Sequence, residues 1–491
     1  MSEQVLVIGA GMAGLCVALA LAPAGHDITL LERDGPLPEG DAEAAFEHWS
    51  RRGVGQLRHS HAFLARLRSI IKAQHPQLLE ELKAAGCREI GVEAMLPDPL
   101  RRRYAPEAGD QDLVILTSRR TTLEWVMRRY VERLDRVRVI TGANAQALRI
   151  ETPPDGPMRV TGVIGRLDDT AQTWAAGLVV DAAGRNSRTF EQLAEAGAIV
   201  SEQGEPCGII YFTRHYRLRP GQSEPHRSKA AATGDLDFLK FGLFPADNGC
   251  FSVTLALPEI EIELRQAIMA PETFDRICAL LPGLAPWTQA QRAEPISAVL
   301  GMGDLSSRWR RLTAPNQRAA QGVFALGDSL IRTNPLYGRG CSFAAVEAQI
   351  LAEVLDQTQD PSARARLYDF RIAEALGVYY EAMRDQDRDA IARAARSRSG
   401  DHSLSIKARV GRSFRDDGVR IAVRSDLDLL RHALRDFHML EPPGAWVRRP
   451  QTLAKSAAAW TRGPRLNADL YPASPGPSRA QMFEALDLAP A

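Results

Sequence analysis

Three short stretches of this 491-residue chain combine glycines, carboxylates and arginines in patterns that could do chemistry. Gly9-Ala10-Gly11-Met12-Ala13-Gly14 is a GxGxxG run, and Glu32 ends the next apolar segment. The chemistry it suggests is the holding of a pyrophosphate. Gly9 permits a tight turn, Gly11 lets the backbone approach the phosphates, and Gly14 lets a helix pack closely on a strand. Unpaired N–H groups and the partial positive charge of a helix N-terminus would face the anion. Glu32 can accept bonds from both ribose hydroxyls of an adenosine, and a carboxylate there disfavours the 2′-phosphate of NADP. This fingerprint alone leaves FAD and NAD open. Asp181 and Gly184 in DAAGRNSR repeat the theme of an acid and a glycine in a polar turn. So do Gly327 and Asp328, followed by Pro335, Gly338, Arg339 and Gly340. Asp328 can bond a polyol chain. The glycines at 338 and 340 allow close backbone approach, and the next helix N-terminus can face an electron-rich ring edge.

The elements that must position these residues are legible around them. Residues 4–8 (QVLVI) read as a buried parallel strand, residues 15–21 are helix-compatible, and residues 27–31 (DITLL) read as a second strand. Strand, glycine turn, helix, strand and acid thus occur in register. Residues 178–181 (LVVD) and 322–328 (GVFALGD) are further strands, and 341–355 has the 3.6-residue period of a helix. Residues 207–218 alternate as a strand, and 238–244 with 250–257 make a hairpin turned by Asn248-Gly249. Tyr211, Phe212, Tyr216, Phe241, Phe244 and Phe251 are aromatic candidates for its inner face, although alternation alone would make each of them core.

The three motifs together resemble the FAD signatures of flavoprotein monooxygenases with the p-hydroxybenzoate hydroxylase fold, over residues 1–356. Residues 51–67 (RRGVGQLRHSHAFLARL) and 118–129 (SRRTTLEWVMRR) resemble the branch with epoxidases, halogenase-like proteins and geranylgeranyl reductases. The resemblance implies an α/β fold. A Rossmann-like FAD domain would be assembled from 1–70, 100–190 and 290–356. An inserted mixed or antiparallel substrate sheet would take 71–99 and 191–289, and a helical region with an irregular tail 357–491. It implies FAD as cofactor, with its pyrophosphate at Gly9, Gly11 and Gly14 and its ribose at Glu32. Met12, Ala13, Arg33, Asp181, Gly184, Gly327 and Arg339 would bind the cofactor beside them. Arg120 would reach the cofactor, with Arg119 as the alternative by one residue, and Arg58 would supply a second arginine. Asp328 would contact the ribityl or phosphate portion. Pro335 and Gly338 would stand at the reacting ring, with Gly338 to Gly340 along its pyrimidine edge.

Composition narrows the remaining classes. With 61 Lys+Arg against 60 Asp+Glu, the net charge of +1 argues against nucleic-acid binding through many phosphate contacts. Cys16, Cys87, Cys207, Cys250, Cys278 and Cys341 stand singly, so a structural zinc site is not expected and a reducing, cytoplasmic setting is. The apolar N-terminus lacks a basic flank and is broken by glycines, so neither a signal peptide nor an integral membrane segment is expected. His59 and His61 in HSH read as the first turn of a helix running to Lys83, with an acid–base pair as the sharper alternative. The basic run 393–398 reads as a solvated helix face, and Ser478 as the cap of a last short helix.

The function implied by the resemblance is that of a monooxygenase. It would insert one oxygen atom from O2 into an apolar or aromatic small molecule, by hydroxylation or epoxidation, through a flavin C4a-hydroperoxide. No side-chain nucleophile is needed, and no GxSxG occurs. The middle motif is DAAG rather than the Asp-Gly form of single-component hydroxylases. Electrons would come from NAD(P)H directly or through a separate flavin reductase. The WxWxIP motif of tryptophan halogenases is absent. A prenyl C=C reductase, a halogenase and a flavin-binding protein without turnover are the alternatives, and a monomer or homodimer is expected.

Overall fold

The apolar segments of the three motifs meet in one sheet. Five parallel strands lie in the order Val323–Ala325, Leu178–Asp181, Gln4–Ile8, Asp27–Glu32 and Val137–Thr141. We describe them from a computed structural model covering residues 2–153, 156–312, 320–400, 403 and 405–488. The central strands are apolar on both sides because both faces are covered, while the edge strand Val137–Thr141 exposes Arg138. Val5, Val7, Leu30 and Val180 pack with the helices Met12–Leu21, Arg120–Glu132 and Gly340–Gln357. Leu6, Leu31, Val179 and Val323 pack on the antiparallel strands Ala143–Glu151, Arg159–Leu167 and Thr170–Ala175. Each such fully buried Leu or Val contributes about 1.5–3 kcal/mol.

A second, antiparallel sheet stands above the carboxyl ends of these strands. Its order is Thr233–Asp235, Lys240–Pro245, Cys250–Pro258, Ile209–Leu218 and Ala293–Pro295, and Leu300–Met302 also pairs with Ile209–Leu218. The hairpin turns at Asn248 and Gly249, both at positive φ (53° and 71°). The insertion therefore runs beyond residue 289, to Met302. Residues 71–84, expected with this sheet, instead put Ile71, Leu78, Leu79 and Leu82 into the core of the parallel sheet. Phe212, Tyr216 and Phe251 face away from the parallel sheet, into a second core with the helices Ile262–Ala267 and Pro271–Leu280.

The Pro361–Ser399 helix follows. Tyr368, Ile372, Leu376, Tyr379, Tyr380 and Met383 form its apolar stripe, which packs on the first core. Its basic end is not the expected solvated face. Arg398 pairs with Glu263 at 2.9 Å, and Arg393 lies within 4.0 Å of Asp235, so the helix is tied to the second sheet by charge. Ser478 and Gln481 make a capping box for the helix Arg479–Ala485. Met482 and Phe483 carry that helix back into the second core.

Candidate functional site

A cavity of about 1160 Å³ runs from the first glycine turn to the underside of the second sheet. At one end, Gly9 has φ +97°, and a Cβ there would stand 2.7 Å from the Ala182 carbonyl oxygen. A Cβ at Gly14 would lie 2.0 Å from the Gly9 oxygen, which is the close helix–strand packing anticipated for it. Gly11 differs. It begins the Met12–Leu21 helix in extended geometry, and its Cβ would meet only Arg51 Nη2, at 3.8 Å. Met12, Ala13, Arg33, Asp181 and Gly184 line the same end. The buried Asp181 carboxylate accepts from the Ala183 N–H at 3.0 Å and from the Ser187 hydroxyl, which holds the turn carrying Gly184. Burial raises its pKa, and these bonds oppose that rise.

The other end is built by the loop before the Gly340–Gln357 helix. Asn334 accepts from the Leu336 N–H at 3.0 Å and so shapes the turn Pro335–Tyr337. Gly338 has φ +63°, which favours glycine. A Cβ on Gly340 would meet nothing within 4 Å. Pro335, Gly338, Arg339, Gly340, Gly327 and Asp328 all line the cavity. Asp328 makes no side-chain hydrogen bond to any described residue; burial raises its pKa, and Arg120, Arg332, Arg308 and Arg185 pull it down. Glu347, behind Gly327, accepts the Gly327 N–H at 2.5 Å, and burial pushes it up to about 8.

The arginines divide in a way that spacing did not reveal. Arg120 lines the cavity, held by Glu124 at 2.5 Å and by His61 Nε2 at 3.2 Å. Arg119 turns the other way, into Asp247 (Nε to Oδ2, 3.0 Å) and Glu43, and does not line the cavity. Arg58 is outside the cavity. Its guanidinium donates to the Phe46 carbonyl at 2.9 and 3.0 Å and to the Trp49 carbonyl at 3.1 Å, closing the end of the Ala42–His48 helix. Arg51, from the same segment, does line the cavity, and sequence reasoning passed over it. It bonds Glu32 at 2.6 Å and Glu124 at 2.7 Å while itself buried. Arg51 and Arg120 thus balance Glu32 and Glu124, as a buried charge cluster requires. Glu32 also accepts the Ala10 and Asp34 N–H groups at 3.1 and 3.0 Å. Because Arg51 offsets its charge, the discrimination against a 2′-phosphate expected from Glu32 does not rest on net charge. The only sequence signal for Arg51 was its place at the start of the segment 51–67.

HSH does not begin a helix. The helices are Ala65–Gln74 and Pro76–Ala84, broken at His75-Pro76, and His59 and His61 precede them on the cavity wall. His61 accepts from Arg120 through Nε2 and so donates Nδ1–H to the His59 carbonyl at 2.9 Å. Burial and Arg120 hold its pKa well below the usual histidine value. The sheet's face toward the cavity carries Tyr211, Thr213 and Thr254, with Phe241 and Phe244 at its edge. That face carries the hydroxyls of Thr213 and Thr254 beside the Tyr211 ring. Among the described residues no group of three His, Cys, Asp or Glu could hold a metal ion. Nor is any helix among them long and apolar enough to cross a membrane.

An FAD suits this donor set. Gly11, Gly184 and Gly340 leave open space, and the Asp328 carboxylate is an orphaned acceptor facing the cavity. Residues 4–250, half of the 491-residue chain, match the family model of FAD-dependent oxidoreductases (DAO). Protein Rv3254 of Mycobacterium tuberculosis is 30% identical over 380 residues, covering 72% of this chain and 73% of its own. The fold is shared with the flavin-dependent brominase Bmp2 at 15% identity, with a TM-score of 0.59 over 94% of this chain and 100% of that one. It is also shared with p-nitrophenol 4-monooxygenase PnpA from Pseudomonas putida, at 17% identity and a TM-score of 0.56 over 91% and 99% of the chains. The chain belongs to the FAD-dependent oxidoreductase family and is a flavoprotein enzyme of that class.

Proposed function

We propose that this enzyme is a monooxygenase that places one oxygen atom of O2 on an apolar or aromatic small molecule, by hydroxylation or epoxidation. One observation carries the reading. A single cavity joins the phosphate cradle, the Pro335–Gly340 loop and the underside of the second sheet, and its 1160 Å³ exceeds what one small ligand needs. Cofactor and substrate can share it.

In this reading Gly9, Gly11 and Gly14, with the N–H groups of Met12 and Ala13, hold the FAD pyrophosphate. Glu32, with Arg33 beside it, holds the adenosine ribose, and Asp328 the ribityl chain. Arg120 supplies a fixed positive charge near Asp328. Gly338 to Gly340 and the helix N-terminus behind them face the pyrimidine edge, and Pro335 stands beside the ring. The bound flavin supplies the redox and oxygen chemistry, and the second sheet excludes water and orients the substrate. Electrons come from NAD(P)H, directly or through a separate reductase.

The test is turnover of purified, flavin-loaded protein with candidate arenes and alkenes under ¹⁸O₂, with NADH, NADPH or an added flavin reductase. One labelled oxygen atom in the product is the expected result. Halide incorporation, or product formed equally well without oxygen, overturns the proposal in favour of a halogenase or a C=C reductase.

A further inference from the structure

His59 is 6% exposed and lines the cavity, and its Nδ1 lies 3.0 Å from the Thr213 hydroxyl. Beyond Thr213 the contacts continue across the sheet. Thr213 and Thr254 are cross-strand partners with hydroxyls 2.8 Å apart. Thr254 donates to Ser60 at 2.7 Å, and Ser60 donates to Ser252 at 2.6 Å.

Each hydroxyl has one proton to give. Thr254 spends its proton on Ser60, so the bond between the threonines must run from Thr213 to Thr254. Thr213 has then spent its own, and can only accept from His59. The proton of the neutral His59 ring therefore sits on Nδ1, and Nε2 is left as a lone pair. Burial and the neighbouring His215 bring the His59 pKa down to about 4, so the ring is neutral at physiological pH. Nε2 has no partner among the described residues. The segment that carries His59 runs on to Ala62, whose carbonyl faces Gly338 at 3.5 Å from where a Cβ would stand. His59 thus stands on the stretch of cavity wall between the second sheet, met through Thr213, and the Gly338 loop, met through Ala62.

We propose that His59 is the substrate-recognition residue of this enzyme, its Nε2 accepting a hydrogen bond from a hydroxyl or N–H group on an otherwise apolar substrate. Thr213 positions that lone pair. The proposal rests on the oxidoreductase reading for the place of the substrate, and it names what the substrate must carry. A substrate lacking the donor leaves Nε2 buried and unpaired, which the site penalises.

Two measurements on the flavin-loaded protein test it. Selective ¹⁵N-histidine labelling and ring NMR read the tautomer directly. The wild type is expected to show His59 protonated on Nδ1, and Thr213→Val a mixture of both tautomers. Titration with 2-naphthol and with 2-methoxynaphthalene, followed by the flavin absorbance or by calorimetry, reads the recognition. The naphthol is expected to bind about tenfold more tightly. In His59→Leu the two affinities become equal while flavin content stays at the wild-type level. A proton on Nε2 in the wild type overturns the proposal. So does a wild type with equal affinity for the two probes, or a preference that survives in His59→Leu. Oxygen-dependent turnover is scored separately, so its absence counts against the monooxygenase reading and leaves the assignment of His59 standing.

Discussion

Adding one methyl at Gly11 and one at Gly14 separates ligand binding from folding within a single six-residue motif. At Gly14 the new Cβ would lie 2.0 Å from the Gly9 carbonyl oxygen and 3.4 Å from Leu30 Cδ2. An unstrained C···O contact is about 3.3 Å, so the start of the helix must move by about 1.3 Å. The group met at 2.0 Å belongs to the main chain and cannot swing aside as a side chain could, and the overpacking costs about 1–3 kcal/mol. At Gly11 the methyl meets only the tip of Arg51 at 3.8 Å, in a backbone geometry open to any residue. The apoprotein loses about 0.5–1 kcal/mol there, the difference between glycine and alanine as a helix N-cap. In the proposed binding mode the methyl occupies the approach to the pyrophosphate. Losing one charge-assisted hydrogen bond, about 1.5–3 kcal/mol, weakens flavin binding at least tenfold. The assay pairs urea unfolding of the flavin-free protein with fluorescence titration of FAD into each refolded variant. Gly14→Ala should lose about 1–3 kcal/mol of apoprotein stability, while Gly11→Ala should lose no more than about 1 kcal/mol and bind FAD at least tenfold more weakly. The reasoning fails if Gly11→Ala binds FAD as the wild type does, or if the two variants lose equal stability without cofactor.

Other expectations follow from the same geometry. Asp328→Ala removes the orphaned acceptor and should weaken FAD binding by about tenfold, one hydrogen bond's worth, with the apoprotein's urea midpoint nearly unchanged; a variant with full affinity excludes the assigned contact. Arg51→Met leaves the buried Glu32 carboxylate without its ionic partner and Glu124 with Arg120 alone, and should cost about 3–5 kcal/mol in urea unfolding at neutral pH; a loss under about 1 kcal/mol contradicts the buried pairing. Glu347 has a folded pKa of about 8 against an ordinary 4.5. The folded state therefore holds the extra proton, and the stability it confers is full below pH 4.5 and is lost as pH rises through 8. Over that window the wild type should lose about 1.4 kcal/mol per pH unit relative to Glu347→Gln. Parallel pH–stability curves for the two proteins rule this out.

The first strand, its glycine turn and the second strand were legible because their constraints are local. A GxGxxG turn, a β-branched run and a closing acid stand in unbroken sequence, and any chain carrying them folds that segment in much the same way. The loop from Asp328 to Gly340 was legible for a similar reason, since a strand end, a proline, two glycines and a helix start punctuate it. Charge and packing partners were not local. The pairing of Arg51 with Glu32 and Glu124 spans residues 32 to 124, and no spacing rule connects them. Nor could sequence say which of Arg119 and Arg120 faces the cavity, since Arg119 is the non-helical N-cap and Arg120 the first helical residue, and only the tertiary neighbours show which way each points. The helical period of the region after HSH hid the break at His75-Pro76 and the cavity wall that precedes it. Alternation in residues 207–218 marked a strand with two faces, but only the position of the second sheet decided that Phe212 and Tyr216 face a core while Thr213 faces the cavity. The sequence determined the motifs and the class of cofactor they hold. The tertiary structure decided which side chains share one cavity, because burial and charge balance are properties of the assembled layers.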